Sequence, residues 1–94
     1  MKLDDLKLLR KQAYVNGQWI DADDGSCFAV TNPADGETIA QVSSLGQTET
    51  SRAISAAQAA LPAWRSKTAK ERSTILRKWF DLIMVNQEDL ARLL

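Results

Sequence analysis

The sequence contains no histidine, and this absence excludes several kinds of active site. Without an imidazole the chain cannot provide Ser-His-Asp or Cys-His catalysis, and it lacks a common ligand of zinc sites. The single cysteine, Cys27, excludes an internal disulfide bond. Cys27 lies between acidic residues in a predicted strand, whereas a reactive thiolate needs a nearby cation, base or helix N-terminus. We therefore interpret Cys27 as a structural residue.

Glycine is scarce as well. The four glycines, at positions 17, 25, 36 and 46, are too far apart to form a phosphate-binding loop. The acidic residues 21–25 resemble the beginning of an EF-hand loop, but the twelfth position is Asn32 instead of the required glutamate. We accordingly predict no catalytic, cofactor-binding or metal-binding residue in this chain.

Long apolar runs are also missing. No stretch approaches the roughly 18 apolar residues of a membrane span, and the start of the chain lacks the bases and the apolar run of a signal peptide. The formal net charge is zero, so no strong field attracts nucleic acid or an anionic membrane. These absences predict a cytoplasmic protein that binds neither nucleic acid nor membranes.

The charges that are present are divided unevenly along the chain. Between Gln12 and Ser51 there are six acids and no lysine or arginine, whereas residues 65–78 carry six bases and one acid, Glu71. The simplest interpretation is two solvated surfaces of opposite sign. The alternative is that the two halves dock on each other or on a partner.

Turn signals divide the first half into short β-segments. Asn16-Gly17 between β-forming residues predicts a hairpin over residues 13–20, because both residues tolerate the positive φ of a type I′ turn. Two further strand candidates flank the turn that contains Pro33 and Gly36, and they are residues 27–31 and 37–43. Before the hairpin, leucine at every third position predicts a short helix over residues 3–11.

Capping signals divide the second half into helices. Thr48 predicts the start of a first helix, and Pro62 predicts its end because proline continues a helix poorly. Thr68 and Glu71 form a capping box that opens a second helix. Asn86 is a candidate N-cap of a third helix, which the end of the sequence truncates.

Apolar side chains cover one face of each long helix. They are Ile54, Ala57, Leu61 and Trp64 in the first helix and Leu76, Trp79, Phe80 and Ile83 in the second. A domain of this size buries only about 60% of its unfolded surface, and the sequence ends on two leucines without a glycine cap. We predict that protein outside the 94 residues covers part of this surface, so that the chain is a fragment.

Several segments, read in order, resemble motifs of the NAD(P)-dependent aldehyde dehydrogenases. They are the hairpin Tyr14-Val15-Asn16-Gly17-Gln18-Trp19, the turn Val30-Thr31-Asn32-Pro33-Ala34-Asp35-Gly36-Glu37, the helix exit Leu61-Pro62-Ala63-Trp64-Arg65, the helix start Thr68-Ala69-Lys70-Glu71-Arg72, and Asn86-Gln87-Glu88-Asp89-Leu90-Ala91. The segment Lys78-Trp79-Phe80-Asp81-Leu82-Ile83 and the leading helix look most like the NADP-dependent succinate-semialdehyde dehydrogenases.

The resemblance implies a fold and a role. The chain would be an α+β segment of an α/β aldehyde dehydrogenase fold, and the incomplete N-terminal portion of its dinucleotide-binding domain. Its parts would be a leading helix in residues 1–12, an antiparallel ribbon of about three strands in residues 13–46, and helices in residues 47–94. In this family the nucleophilic cysteine, the general base and the NAD or NADP site lie further along the chain, and Cys27 matches none of them.

The resemblance also sets expectations about activity and partners. The full-length enzyme would oxidise succinate semialdehyde to succinate as a homo-oligomer, whereas these 94 residues would be inactive and bind no cofactor. Its partners would be the remainder of its own chain and, for the isolated segment, further copies of itself. The alternatives are an autonomous helical interaction module, a natural short product without enzymatic role, and a small DNA-binding domain, which the acidic first half disfavours.

Overall fold

The computed structural model describes residues 2–94, in which a short turn and four strands precede three helices. The elements are a 3-10 turn (Leu6–Leu8), β1 (Ala13–Val15), β2 (Gln18–Ile20), β3 (Cys27–Thr31), β4 (Thr38–Ser43), α1 (Gln47–Ser66), α2 (Ala69–Val85) and α3 (Gln87–Leu93). This order of antiparallel strands followed by helices confirms the predicted α+β class.

The predicted Asn-Gly hairpin is present. Asn16 and Gly17 both have positive φ, 51° and 77°, which a two-residue hairpin turn of this type requires. Strands β1 and β2 pair antiparallel, and the ring centroids of the cross-strand pair Tyr14 and Trp19 are 4.9 Å apart. The guanidinium of Arg10 lies 4.4 Å from the centre of the Trp19 ring. Both Arg10 and Tyr14 therefore stabilise the hairpin through contacts with the Trp19 ring.

Strands β3 and β4 form a second antiparallel pair, so four strands replace the ribbon of about three that the sequence predicted. The difference arises because the hairpin over residues 13–20 supplies two strands of its own, which pair only with each other. In the second pair Phe28 lies opposite Val42 and Val30 opposite Ala40, with an irregularity between Val30 and Thr31.

The leading helix is much shorter than predicted. Instead of a helix over residues 3–11, only the 3-10 turn Leu6–Leu8 forms, with the side chain of Asp5 accepting the N–H of Lys7. The N–H groups of Asp4 and Asp5 donate to a side chain from α3, and Leu9 is extended. A leucine at every third residue also matches the three residues per turn of a 3-10 helix.

Helix α1 continues past the proline that was predicted to end it. Pro62 lies inside the helix, which ends at Ser66, where the Ser66 hydroxyl donates to the carbonyl of Ala63 at 2.8 Å. Proline removes one intrahelical hydrogen bond but does not prevent the following residues from making theirs. The first helix is therefore 20 residues long.

The predicted capping box of α2 is confirmed for its Thr68 half, and the predicted cap of α3 is wrong. The hydroxyl of Thr68 accepts the N–H of Glu71 at 3.1 Å, which satisfies one free donor at the start of α2. Asn86 makes no side-chain cap to α3; its amide donates instead to the carbonyl of Leu82 at the end of α2. The two helices are consequently separated by a single residue.

The chain divides into two compact units, residues 10–59 and residues 2–9 together with 60–94. In the first unit the buried residues are Ala22, Ala40 and Glu49, and in the second they are Leu3 and Asp89. Among residues 2–94 no side chain is completely sealed from solvent, so each unit has only a small core. No helix in the part of the chain described is long and apolar enough to cross a membrane.

Candidate functional site

Cys27, the only thiol, lies exposed at the start of β3. Its Sγ is 3.7 Å from the carbonyl oxygen of Gly25, to which the thiol donates a weak hydrogen bond. The surrounding turn is organised by Asp24, which accepts the N–H of Ser26 at 2.9 Å. The side chain of Ser26, followed by this N–H, lowers the pKa of Asp24. Within residues 2–94, no group of three or more metal-ligating side chains is close enough together to hold a metal ion.

A buried carboxylate joins the beginning of the chain to its last helix. Asp89 accepts the backbone N–H groups of Asp4 and Asp5 at 2.9 Å and 2.8 Å, and the guanidinium of Arg92 at 2.8 Å. The amides of Asp4 and Asp5, followed by the Arg92 guanidinium, hold the pKa of Asp89 below its ordinary value. Both carboxylate oxygens accept hydrogen bonds, so Asp89 serves as a structural contact. We call this contact the Asp89 anchor.

A second group of charges fastens the acidic loop to the start of α1. Glu49 is buried and accepts the N–H of Asp23 at 3.2 Å. Arg52 donates two hydrogen bonds to the carboxylate of Asp23, and these bonds lower the pKa of Asp23 and raise that of Arg52. In the loop that resembled the start of an EF-hand, Asp23 is thus paired with an arginine.

A groove lies between the end of α1 and residues 69–80 of α2. Trp64, Leu76 and Phe80 supply its apolar surface, and Arg72 and Arg77 its positive charge. Its volume is about 600 Å³ and it is open to solvent. The groove can accept an apolar group that carries a carboxylate. Its lining includes the hydroxyl of Ser73 but no general base that could activate this hydroxyl as a nucleophile.

The lining of the groove includes a cation over an aromatic ring. The guanidinium of Arg77 lies 4.7 Å from the centre of Phe80 and 3.5 Å from the carboxylate of Asp81. Leu76 and Phe80 remain about half exposed, at 49% and 47%. The groove therefore presents apolar surface that residues 2–9 and 60–94 leave uncovered.

A second apolar strip runs along α2 beside the groove. Ile75, Trp79 and Leu82 follow one another at spacings of four and three residues, which places them on one side of the helix. Trp79 and Leu82 are 63% and 62% exposed. We call these three residues the Trp79 strip. The sequence analysis placed Trp79 and Phe80 on the apolar face of this helix, and both are exposed, at 63% and 47%.

Comparison with known proteins assigns the class. The family model described as the aldehyde dehydrogenase family matches residues 19–94, which is most of the chain. The chain belongs to the aldehyde dehydrogenase family. The resemblance drawn from the hairpin, the turn and the helix motifs is confirmed.

Several individual members of the family are similar to this chain. A glutarate-semialdehyde dehydrogenase of Pseudomonas putida is 60% identical, and the NADP(+) succinate-semialdehyde dehydrogenase of Escherichia coli is 56% identical, each over the whole of this chain. A solved NADP-dependent enzyme of E. coli has a TM-score of 0.94 and 56% identity over 98% of this chain and 19% of its own. The chain spans about one fifth of the length of these relatives.

Sequence reasoning missed the Asp89 anchor and the groove. In the sequence, Asp89 is simply an acid in the first turn of a short helix. The neighbouring residues do not indicate that its hydrogen-bond partners, the N–H groups of Asp4 and Asp5, are 85 and 84 positions away. The sequence analysis noted the bases of residues 65–78 and the apolar face of the second helix separately, without placing them in one groove. A helical projection of α2 together with Trp64 would have indicated that Arg72 and Leu76 share a face.

Proposed function

We propose that this chain is the N-terminal portion of an NAD(P)-dependent aldehyde dehydrogenase that oxidises succinate semialdehyde to succinate. One observation carries the proposal: 98% of this chain matches 19% of a solved NADP-dependent enzyme, at 56% identity and a TM-score of 0.94. The relative of the same identity is named for succinate semialdehyde and NADP(+). The remaining four-fifths of such an enzyme supplies the nucleophile, the base and the cofactor site.

The substrate is the more specific part of the proposal. The relatives at 60% and 56% identity are named for glutarate and succinate semialdehyde, which differ by a single methylene group. Both substrates combine a reactive aldehyde with a carboxylate. We retain succinate semialdehyde as the proposed substrate, in agreement with the motifs of the leading segment and α2.

By itself the chain is proposed to be inactive and to bind no nucleotide. Cys27 has a carbonyl oxygen as its hydrogen-bond partner and an acidic turn beside it, and neither activates a thiol for attack on an aldehyde. The groove contains cations, aromatics and the hydroxyl of Ser73, without a base that could activate this hydroxyl. The cytoplasmic location and the homo-oligomeric state of the complete enzyme stay predictions of the same proposal.

The Trp79 strip gives the chain a structural role within the complete enzyme. Burying a large apolar side chain contributes about 1.5–3 kcal/mol, and all three members of the strip are exposed in the isolated segment. We assign the strip to packing against the remainder of the dinucleotide-binding domain. The chain would then contribute to the stability of the domain that holds the cofactor, without touching the reacting atoms.

A hybrid enzyme tests the proposal. This chain replaces the matching first fifth of the E. coli NADP-dependent enzyme, and NADPH formation is measured with succinate semialdehyde. We expect the hybrid to retain activity within about tenfold of the parent, and the 94 residues alone to give no turnover. A Trp79→Glu hybrid, which places a charge in the strip, is expected to be much less stable, whereas Lys78→Glu, an exposed neighbour, serves as the control.

Two results would count against the proposal. Turnover by the isolated chain would show that it carries a complete site of its own. A hybrid that folds but is inactive, together with a monomeric isolated chain that unfolds cooperatively, would instead favour the autonomous interaction module.

A further inference from the structure

We draw no further inference here: the strongest candidate, the groove between the end of α1 and α2 where Trp64, Arg72 and Phe80 lie, carries nothing because the chain spans about one fifth of the length of its relatives and nothing in the structure shows what covers this surface.

Discussion

The carboxylate of Asp89 accepts the backbone N–H of Asp4 at 2.9 Å, although 85 positions separate the two residues in the sequence. The same carboxylate accepts the N–H of Asp5 and a hydrogen bond from Arg92. Leu3, next to these amides, is one of the few buried apolar residues. The anchor therefore holds residues 2–9 against α3 and gives this unit its longest-range polar contact.

Asp89→Asn is expected to release the leading segment. The amide keeps one acceptor oxygen but puts a donor in place of the other, so one of the two backbone N–H groups at Asp4 and Asp5 loses its partner. We expect their amide protons to exchange about tenfold faster or more, while those of α2 are unchanged, in a hydrogen-exchange NMR experiment. Glu88→Gln, which removes the adjacent charge, is the control. Unchanged protection at Asp4 and Asp5 would show that the anchor does not hold this segment.

The anchor is expected to persist at neutral pH and to open only in acid. The N–H groups of Asp4 and Asp5 lower the pKa of Asp89 from its ordinary value of 3.8. A carboxyl group whose pKa is lower in the folded state stabilises that state above the unfolded pKa, and the contribution disappears as the pH falls through the folded value. The chemical shift of the Asp4 amide should therefore change with a midpoint below pH 3.8. A midpoint above this value would contradict the assignment.

Local signals in the sequence were sufficient for the elements that depend on neighbouring residues. The Asn16-Gly17 hairpin and the Thr68 cap follow from backbone conformations and hydrogen bonds that span three residues or fewer, and both are present. Pro62 misled because the rule that proline ends a helix describes a cost in free energy and not a prohibition. Strong helix formers next to the proline offset this cost, as the alanines before Pro62 do.

Contacts between distant residues could not be predicted in this way. The leading helix was predicted from the periodicity of its leucines, but its first amides are taken by Asp89, and only the fold brings that carboxylate near. The exposed apolar surface was predicted as a property of the helices, and Trp79 and Leu82 are indeed exposed. The sequence of 94 residues could not identify a protein surface that would cover them, and we propose that the remainder of the enzyme supplies it.

Gly17→Ala is expected to destabilise the first hairpin. A Cβ at this position would meet nothing within 4 Å, so the cost is conformational: the φ of +77° is one that alanine rarely adopts. We expect a loss of about 1 kcal/mol in the free energy of unfolding, measured by urea denaturation. Asn16→Gly, in the same turn, keeps a residue that tolerates positive φ and should change stability by less than about 0.5 kcal/mol. Equal effects of the two substitutions would refute this explanation.

Thr68→Ala is expected to weaken the start of α2. The hydroxyl of Thr68 is the acceptor for the N–H of Glu71, and alanine leaves that donor to solvent. Loss of such a cap costs about 1 kcal/mol, and we expect a corresponding decrease in the urea midpoint together with reduced helicity by circular dichroism. Thr68→Ser retains the oxygen and should behave as the unmodified chain. If serine is as harmful as alanine, the effect comes from the lost methyl group and not from the cap.

Pro62→Ala is expected to stabilise the chain. Pro62 lies four residues before the end of α1 and has no N–H to donate to the carbonyl of Gln58, so an alanine adds one hydrogen bond and removes a steric clash. We expect a gain of up to about 3 kcal/mol in the free energy of unfolding, since proline disfavours a helix interior by about that amount relative to alanine. Pro33→Ala, in the turn between β3 and β4, should have the opposite sign, because there proline restricts the unfolded chain without costing a helical hydrogen bond. A loss of stability in Pro62→Ala would mean that the proline shapes the end of α1 where Trp64 lines the groove, and the groove would then be expected to change with it.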